Sequence, residues 1–386
     1  MRILTYKWKA YNQLDIVNNL IKRGHTVEEM QGAMCNFETD ADFIGKFAAK
    51  ITSSKYDMVF TVNYFPMISD VCERFNIPYI SWCCDCPLGT MYHESIFISV
   101  NTIFTFDKLN QLEFEAMGAN VHYLPLCADV NRVDKVLLEK TESDKYNADI
   151  SFVGSMYNKN SFDDVSEKLP EYIRGYFEGI MKMQMNIYGD YLLDDMLDSH
   201  ILYELNRHFV LAKSDRSFSD LEMVFSSTVL GFKIAQMERK SMLAELSKRN
   251  TIALYTDDEG VSMPRVENRG LADYWNETPK IFNNSRINLN LTLRNIRSGI
   301  PLRIWDILAA GGFCITNYQP ELEIYFENGR DLVYFDCKED MAAKVKYYLE
   351  HEEERKKIAL NGYNIVKKLH TYNHRFDEMR QIIPGL

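Results

Sequence analysis

Residues 281–321 read IFNNSRINLNLTLRNIRSGIPLRIWDILAAGGFCITNYQPE, and they hold one complete unit of a parallel α/β sheet. An apolar strand, RINLNLT (286–292), runs into a polar loop. Pro301 then opens a short helix that Gly311 and Gly312 close, and a second apolar strand, FCIT, follows at once. Strand, loop, helix and strand form the repeating unit of a parallel sheet, and the helix N-terminus offers backbone N–H groups to an anion. The charge agrees with this reading. Residues 281–305 carry Arg286, Arg294, Arg297 and Arg303 and no carboxylate, in a chain whose net charge is −11. Asp306 follows Arg303 by three residues and shares its helix face, where a carboxylate can accept hydrogen bonds from vicinal hydroxyls. Together these residues predict a nucleotide-sugar site.

Working outward, the same alternation recurs. RILTY (2–6), a helix over 11–24, HTVEEM, YDMVFTV (56–62), a helix over 67–75, IPYISW (77–82), NTIFTF (101–106), a helix to Met117 and VHYLPL (121–126) predict a first α/β domain over 1–145. A polar connector, 128–147, leads to ADISFVGS (148–155), the first strand of a second doubly wound domain over 146–386. Residues 158–247 have helical spacing and read as an insertion in that domain. The α/β rhythm returns with TIALYT, RINLNLT, FCIT and DLVYF, and a long charged helix over 338–370 and a last one over 372–382 end the chain. The fold class is therefore α/β, with two doubly wound Rossmann-like domains facing a cleft.

At 386 residues, two cores are expected. The 46% hydrophobic and 26% charged residues are ordinary globular values, and the acidic balance argues against a nucleic-acid partner. The N-terminus reaches polar residues too early for a signal peptide, and no apolar run spans a bilayer, so a soluble, cytoplasmic protein is expected. Eight cysteines in so long a chain predict reduced, mostly buried thiols rather than a disulfide framework. The loop after the first strand, KWKAYN, lacks the dinucleotide glycines, and no P-loop, GxSxG elbow, kinase set or HExxH is present.

Individual candidates have competing readings. Gly154 and Ser155 turn after the first strand of the second domain, either to bring amides to a phosphate or as an ordinary strand-to-helix turn. Lys159 adds a point charge there. Arg303 and Asp306 are a ligand pair or a surface ion pair, and Arg294 and Arg297 offer bidentate donors to a diphosphate. Asp85, in SWCCDCP (81–87), is a general base or acceptor ligand, or else a turn aspartate before a proline. The Cys83–Cys86 spacing raises a redox reading that no second CxxC supports. The acidic pairs at 194–195 and 257–258 are read as surface acids.

On these residues the chain resembles GT-B glycosyltransferases, specifically the spore maturation protein CgeB-like group. The carriers are residues 286–335 for the group's glycosyltransferase domain, and 56–87 and 100–129 for its companion domain. The resemblance implies transfer of a sugar from a nucleoside diphosphate donor, held mainly by the second domain, to an acceptor protein, glycan or small molecule held mainly by the first. With the residue-level reading, this puts Gly154, Ser155, Lys159, Arg294, Arg297, Ser298, Gly299, Arg303 and Asp306 at the donor and Asp85 at the acceptor, and arginines and helix N-terminal amides can stabilise the leaving diphosphate with no metal or cofactor required. Many relatives carry a carboxylate pair spaced EX7E; the second member corresponds to Asp306 and the first to Ser298, which is a departure. Two other functions fit the same architecture: a sugar-nucleotide epimerase, and a non-catalytic nucleotide-sugar binding or scaffold protein of a spore or surface layer. Sugar, base, acceptor and stereochemical course are left open.

Overall fold

The computed structural model describes residues 1–139, 144–258 and 260–386. They form two parallel six-stranded sheets with helices against them. The chain divides into two compact units, Met1–Leu126 with Val210–Asp220 and Tyr372–Leu386, and Cys127–Phe209 with Leu221–Thr371. The first change of unit thus falls at Leu126, against the 145 expected, and residues 140–143 of the connector lie outside the described residues. The connector is also not wholly irregular: Val130–Leu138 is a helix in which Val130, Val133 and Val136 are buried, a spacing of three that its charges obscured.

In the first unit the strands are β1 (Arg2–Lys7), β2 (Thr26–Gln31), β3 (Met58–Val62), β4 (Tyr79–Trp82), β5 (Asn101–Thr105) and β6 (Val121–Tyr123), in the order β2-β1-β3-β4-β5-β6. MVFTV and YISW are buried at every position because a parallel sheet is covered on both faces. Phe43 and Phe47, on the helix Ala41–Ser53, pack with Tyr6, Val59 and Ile68 in this core. The last helix, Tyr372–Ile382, belongs to this unit. Buried Arg375 donates to the carbonyl of Pro125 at 2.8 Å and pairs with Glu378 at 2.6 Å, and Tyr372 meets Trp82 edge-on.

In the second unit the strands are β7 (Ala148–Val153), β8 (Ile252–Tyr255), β9 (Val266–Asn268), β10 (Ser285–Asn290), β11 (Cys314–Asn317) and β12 (Val333–Phe335), ordered β12-β11-β10-β7-β8-β9. The predicted insertion is helical as expected, although residues 210–220 belong to the first unit. The long helix expected over 338–370 is two, Lys338–Glu350 and Glu352–Leu369, which meet at His351. Helix Leu302–Ala309 buries Ile304, Trp305, Ile307 and Leu308 and ends where predicted. Gly311 there has φ +67°, and a side chain on Gly312 would stand 2.7 Å from both the Phe282 carbonyl and Asn288 Nδ2.

These two glycines differ in what they tolerate. Gly312→Ala meets backbone that cannot yield and is expected to lower unfolding free energy by about 2–3 kcal/mol. Gly311→Ala has room and should cost about 1–2 kcal/mol for its left-handed backbone alone. Urea denaturation of the two variants, followed by circular dichroism, checks the order.

Candidate active site

In an open parallel sheet, ligands bind beyond the carboxyl ends of the strands where the strand order reverses. In the second sheet that point lies between β7 and β10, which pair directly and whose onward connections leave to opposite sides. The loops leaving these two strands, 154–160 and 291–301, carry seven of the nine predicted donor residues, and Arg303 and Asp306 lie on the helix that follows the second loop. Sequence and topology therefore converge on one end of one sheet.

A residue that the sequence reading missed sits between these loops. Arg239, on the helix Gly231–Ser247, is 8% exposed. Its guanidinium donates to the Ser155 carbonyl after β7 and, at 2.9 Å, to the Leu291 carbonyl after β10. It also lies 4.8 Å from the Tyr157 ring and 5.4 Å from that of Phe152. No carboxylate pairs with it among the described residues. Burial first, and the nearby charge of Arg303 as well, push it below the usual arginine range. The signal was present: Ala235, Glu238, Arg239, Met242 and Leu246 recur at helical spacing, so Glu238 and Arg239 lie on the apolar face.

The predicted residues divide by what already holds them. Arg303 is not ion-paired to Asp306, so the surface-pair reading fails; its buried Nη1 has no hydrogen-bond partner among the described residues, and its guanidinium lies 5.7 Å from the Phe282 ring. Asp306, 7% exposed, accepts a 2.9 Å hydrogen bond from the Tyr274 hydroxyl. Beside Tyr274, the buried Nε1 of Trp275 has no partner among the described residues. Arg294 is turned inward: it forms a buried ion pair with Glu238 and lies 3.5 Å above the Tyr188 ring. Arg297 is half-buried in the same loop, Gly299 is buried, and Lys159 is exposed. Arg286, counted among the four arginines of the stretch, stands at the opposite end of the sheet and pairs with Asp149.

The turn after β7 is occupied by the chain itself. Gly154 donates its N–H to the Tyr255 carbonyl at 3.0 Å, continuing the sheet. The Asp258 carboxylate accepts from the Ser155 hydroxyl at 2.9 Å and from the N–H groups of Met156 and Asn158. Asp258 is thus no loose surface acid. Burial would raise its carboxyl, but these donors more than offset that and hold it below the ordinary aspartate value. Ser298 Oγ donates at 2.8 Å to Glu321, a buried acid of the loop after β11 that spacing alone did not link to it.

In the first unit, Asp85 follows β4 and accepts a 2.7 Å hydrogen bond from Asn63 Nδ2. Asn63, at the end of β3, also accepts at Oδ1 from the N–H of Cys84 and Asp85, which fixes the loop around the carboxylate. Although Asp85 is exposed, enough protein surrounds its carboxyl for desolvation to push it above the usual aspartate value, against the Asn63 hydrogen bond. All eight cysteines are free, and burial pushes the Cys83 thiol up to about 12, which does not suit a reactive CxxC.

The family model described as glycosyl transferase-like matches residues 238–381. Most of that match lies in the second unit, and its last ten residues, 372–381, belong to the first. On that match the chain is a glycosyltransferase. The match begins at Glu238 and takes in Arg239, Tyr274, Arg303 and Asp306. Similar solved structures include sucrose-phosphate synthase from Thermosynechococcus elongatus, with TM-score 0.59 and 9% identity over 99% of this chain and 98% of that one. HepE of Anabaena in complex with UDP-glucose gives 0.54 at 10% identity, covering 100% of both chains. WaaG, a glycosyltransferase involved in lipopolysaccharide biosynthesis, gives 0.51 at 10% identity, again over 100% of both. At these identities the likeness is one of fold, and that fold is GT-B. No curated protein matches the sequence.

The Glu238–Arg294 pair predicts an asymmetry. Glu238→Gln strands a buried guanidinium and is expected to cost about 3–5 kcal/mol, whereas Glu238→Met with Arg294→Met should be close to neutral. Equilibrium denaturation of the single and double variants decides it.

Proposed function

We propose that this enzyme transfers a sugar from a nucleoside diphosphate donor, bound by the second unit, to an acceptor hydroxyl bound by the first. The observation that carries the reading is the positive charge at the strand reversal: among the described residues Arg239 is paired with no carboxylate and the buried Nη1 of Arg303 has no hydrogen-bond partner. A buried cation is costly unless an opposite charge meets it, and a diphosphate is that charge. In this reading Asp306, which accepts from Tyr274, receives the ribose hydroxyls, and the unpartnered indole N–H of Trp275 donates to the nucleotide. The UDP-glucose seen in the HepE structure is the chemical class of donor that this charge pattern suits.

In this reading Lys159, Arg297, Ser298 and Gly299 line the donor with Arg303 and Asp306. Arg294 and the Gly154–Ser155 turn support it from behind, since their groups are engaged within the protein. The anomeric carbon–oxygen bond to the diphosphate breaks, the acceptor oxygen bonds to that carbon, and Asp85 takes the acceptor proton. The charge that develops on the departing diphosphate is stabilised by Arg303 and by the field of Arg239, with no metal required. We further place the chain with the CgeB-like group, on residues 286–335 and the two stretches of the first unit that resemble it.

Arg303→Gln is expected to lower kcat/KM by about 10²–10³, in line with loss of one preorganised charge donor. Asp306→Ala should abolish the rise in melting temperature caused by the best nucleotide among UDP, GDP, dTDP, ADP and CMP. Unchanged transfer and donor hydrolysis in both variants would place the site elsewhere. Asp85 acts as a base only when ionised, so its raised pKa predicts that activity falls, on acidification, through a midpoint above that of a free aspartate. Asn63→Ala removes the hydrogen bond that favours the ionised form and should move that limb to higher pH; Asp85→Asn should abolish it, both read from kcat/KM against pH.

A further inference from the structure

At the other end of the second sheet, away from the strand reversal, a groove of about 480 Å³ opens among Ser285 and Arg286 at the start of β10, Gly311 and Phe313 before β11, and Arg355 and Tyr363. We propose that this groove is a second, separate anion site that takes an oxyanion the size of phosphate.

Arg355 is the centre of this groove's chemistry. It lies on the helix Glu352–Leu369, lines the groove, and is only 8% exposed. Its Nη1 donates at 2.8 Å to the carbonyl of Arg286, which anchors the side chain to the first residues of β10. Its buried Nε has no hydrogen-bond partner among the described residues. Leaving such a donor unmet is unfavourable in water-excluded surroundings, and an oxyanion that accepts from this guanidinium at the groove wall removes the penalty.

The surrounding charges point the same way. Asp149 is taken by Arg286 at 2.9 Å, Glu352 by Lys356 at 2.6 Å, and Asp134 by the Tyr363 hydroxyl at 2.9 Å and Lys367 at 3.1 Å. Glu353 stands at the rim, 94% exposed and 3.9 Å from Lys356, where solvent screens it. Arg355 is the cation of this set that no acid neutralises by contact. Burial, and after it the charge of Arg286, push its guanidinium below the ordinary arginine range, the state that a bound anion relieves. Gly311, at φ +67°, brings backbone rather than a side chain to the groove wall and leaves room there. None of these residues takes part in the proposed transfer, so the site is independent of it.

The test uses inorganic phosphate as the probe, with chloride at matched ionic strength as the reference. Phosphate at ten times its dissociation constant is expected to raise the melting temperature of the full chain by about 2 °C. Arg303→Gln should keep that rise and Arg355→Gln should lose it. No response of the unaltered chain, or a response that survives Arg355→Gln and disappears in Arg303→Gln, overturns the proposal. Should Arg355→Gln fail to fold, tungstate soaked into crystals of the unaltered chain decides: an anomalous peak within hydrogen-bond distance of Arg355 supports the site, and its absence there overturns it.

Discussion

A guanidinium paired with no carboxylate among the described residues, buried where the strand order of the second sheet reverses, organises the donor end of this molecule. Arg239 reaches the carbonyls of Ser155 and Leu291, and so ties the first residues beyond β7 to those beyond β10. Both carbonyls lie past the last ladder hydrogen bonds, and without such a donor one buried and one half-buried residue would each lose a partner for the carbonyl. The same contact fixes the spacing of the two loops. Because two neutral carbonyls disperse but do not cancel a positive charge, the crevice keeps a field that favours anions, built in by a backbone requirement.

The loop after β10 is held just as firmly from its other side. Thr292 donates its N–H to Asn317 Oδ1 at 2.7 Å, Gln319 donates to the Ile296 carbonyl at 3.1 Å, and Asn295 donates to the Ser227 carbonyl at 2.8 Å. Side-chain amides thereby replace the sheet hydrogen bonds that the loop lacks. A loop tied at this many points presents its polar groups in one arrangement, so little ordering remains to be done when ligand arrives. The helix Leu302–Ala309 extends this support through buried Trp305, which meets Phe326 at 5.4 Å and His370 at 4.9 Å.

What the sequence made legible follows from range. Strands such as MVFTV and YISW announce themselves because burial on both faces makes them continuously apolar, and Pro301, Gly311 and Gly312 mark the ends of one helix by backbone preference alone. The helix Val130–Leu138 was lost because its charges outweigh three spaced valines, and the break at His351 was lost because polar residues continue across it. In the site, Arg303 and Asp306 were legible from a spacing of three. Tyr274, 32 residues before Asp306, was not, since nothing local tells a tyrosine in a loop which carboxylate it will reach. Arg294 looked like a ligand for the same reason: its partner Glu238 is 56 residues away, and only the fold shows that its charge is already matched.

That long-range pairing also changes how the departure at Ser298 should be understood. Read along the chain, a serine where the resembling enzymes have an acid looks like loss of a negative charge from the loop. In the fold, Ser298 Oγ donates to Glu321, and the Glu321 N–H donates back to the Ser298 carbonyl at 3.2 Å. A carboxylate therefore stands one hydrogen bond behind position 298, brought by the loop after β11 instead of by the helix register. Its charge is set deeper than an acid at 298 would be, at 2% exposure, where it orients the serine hydroxyl.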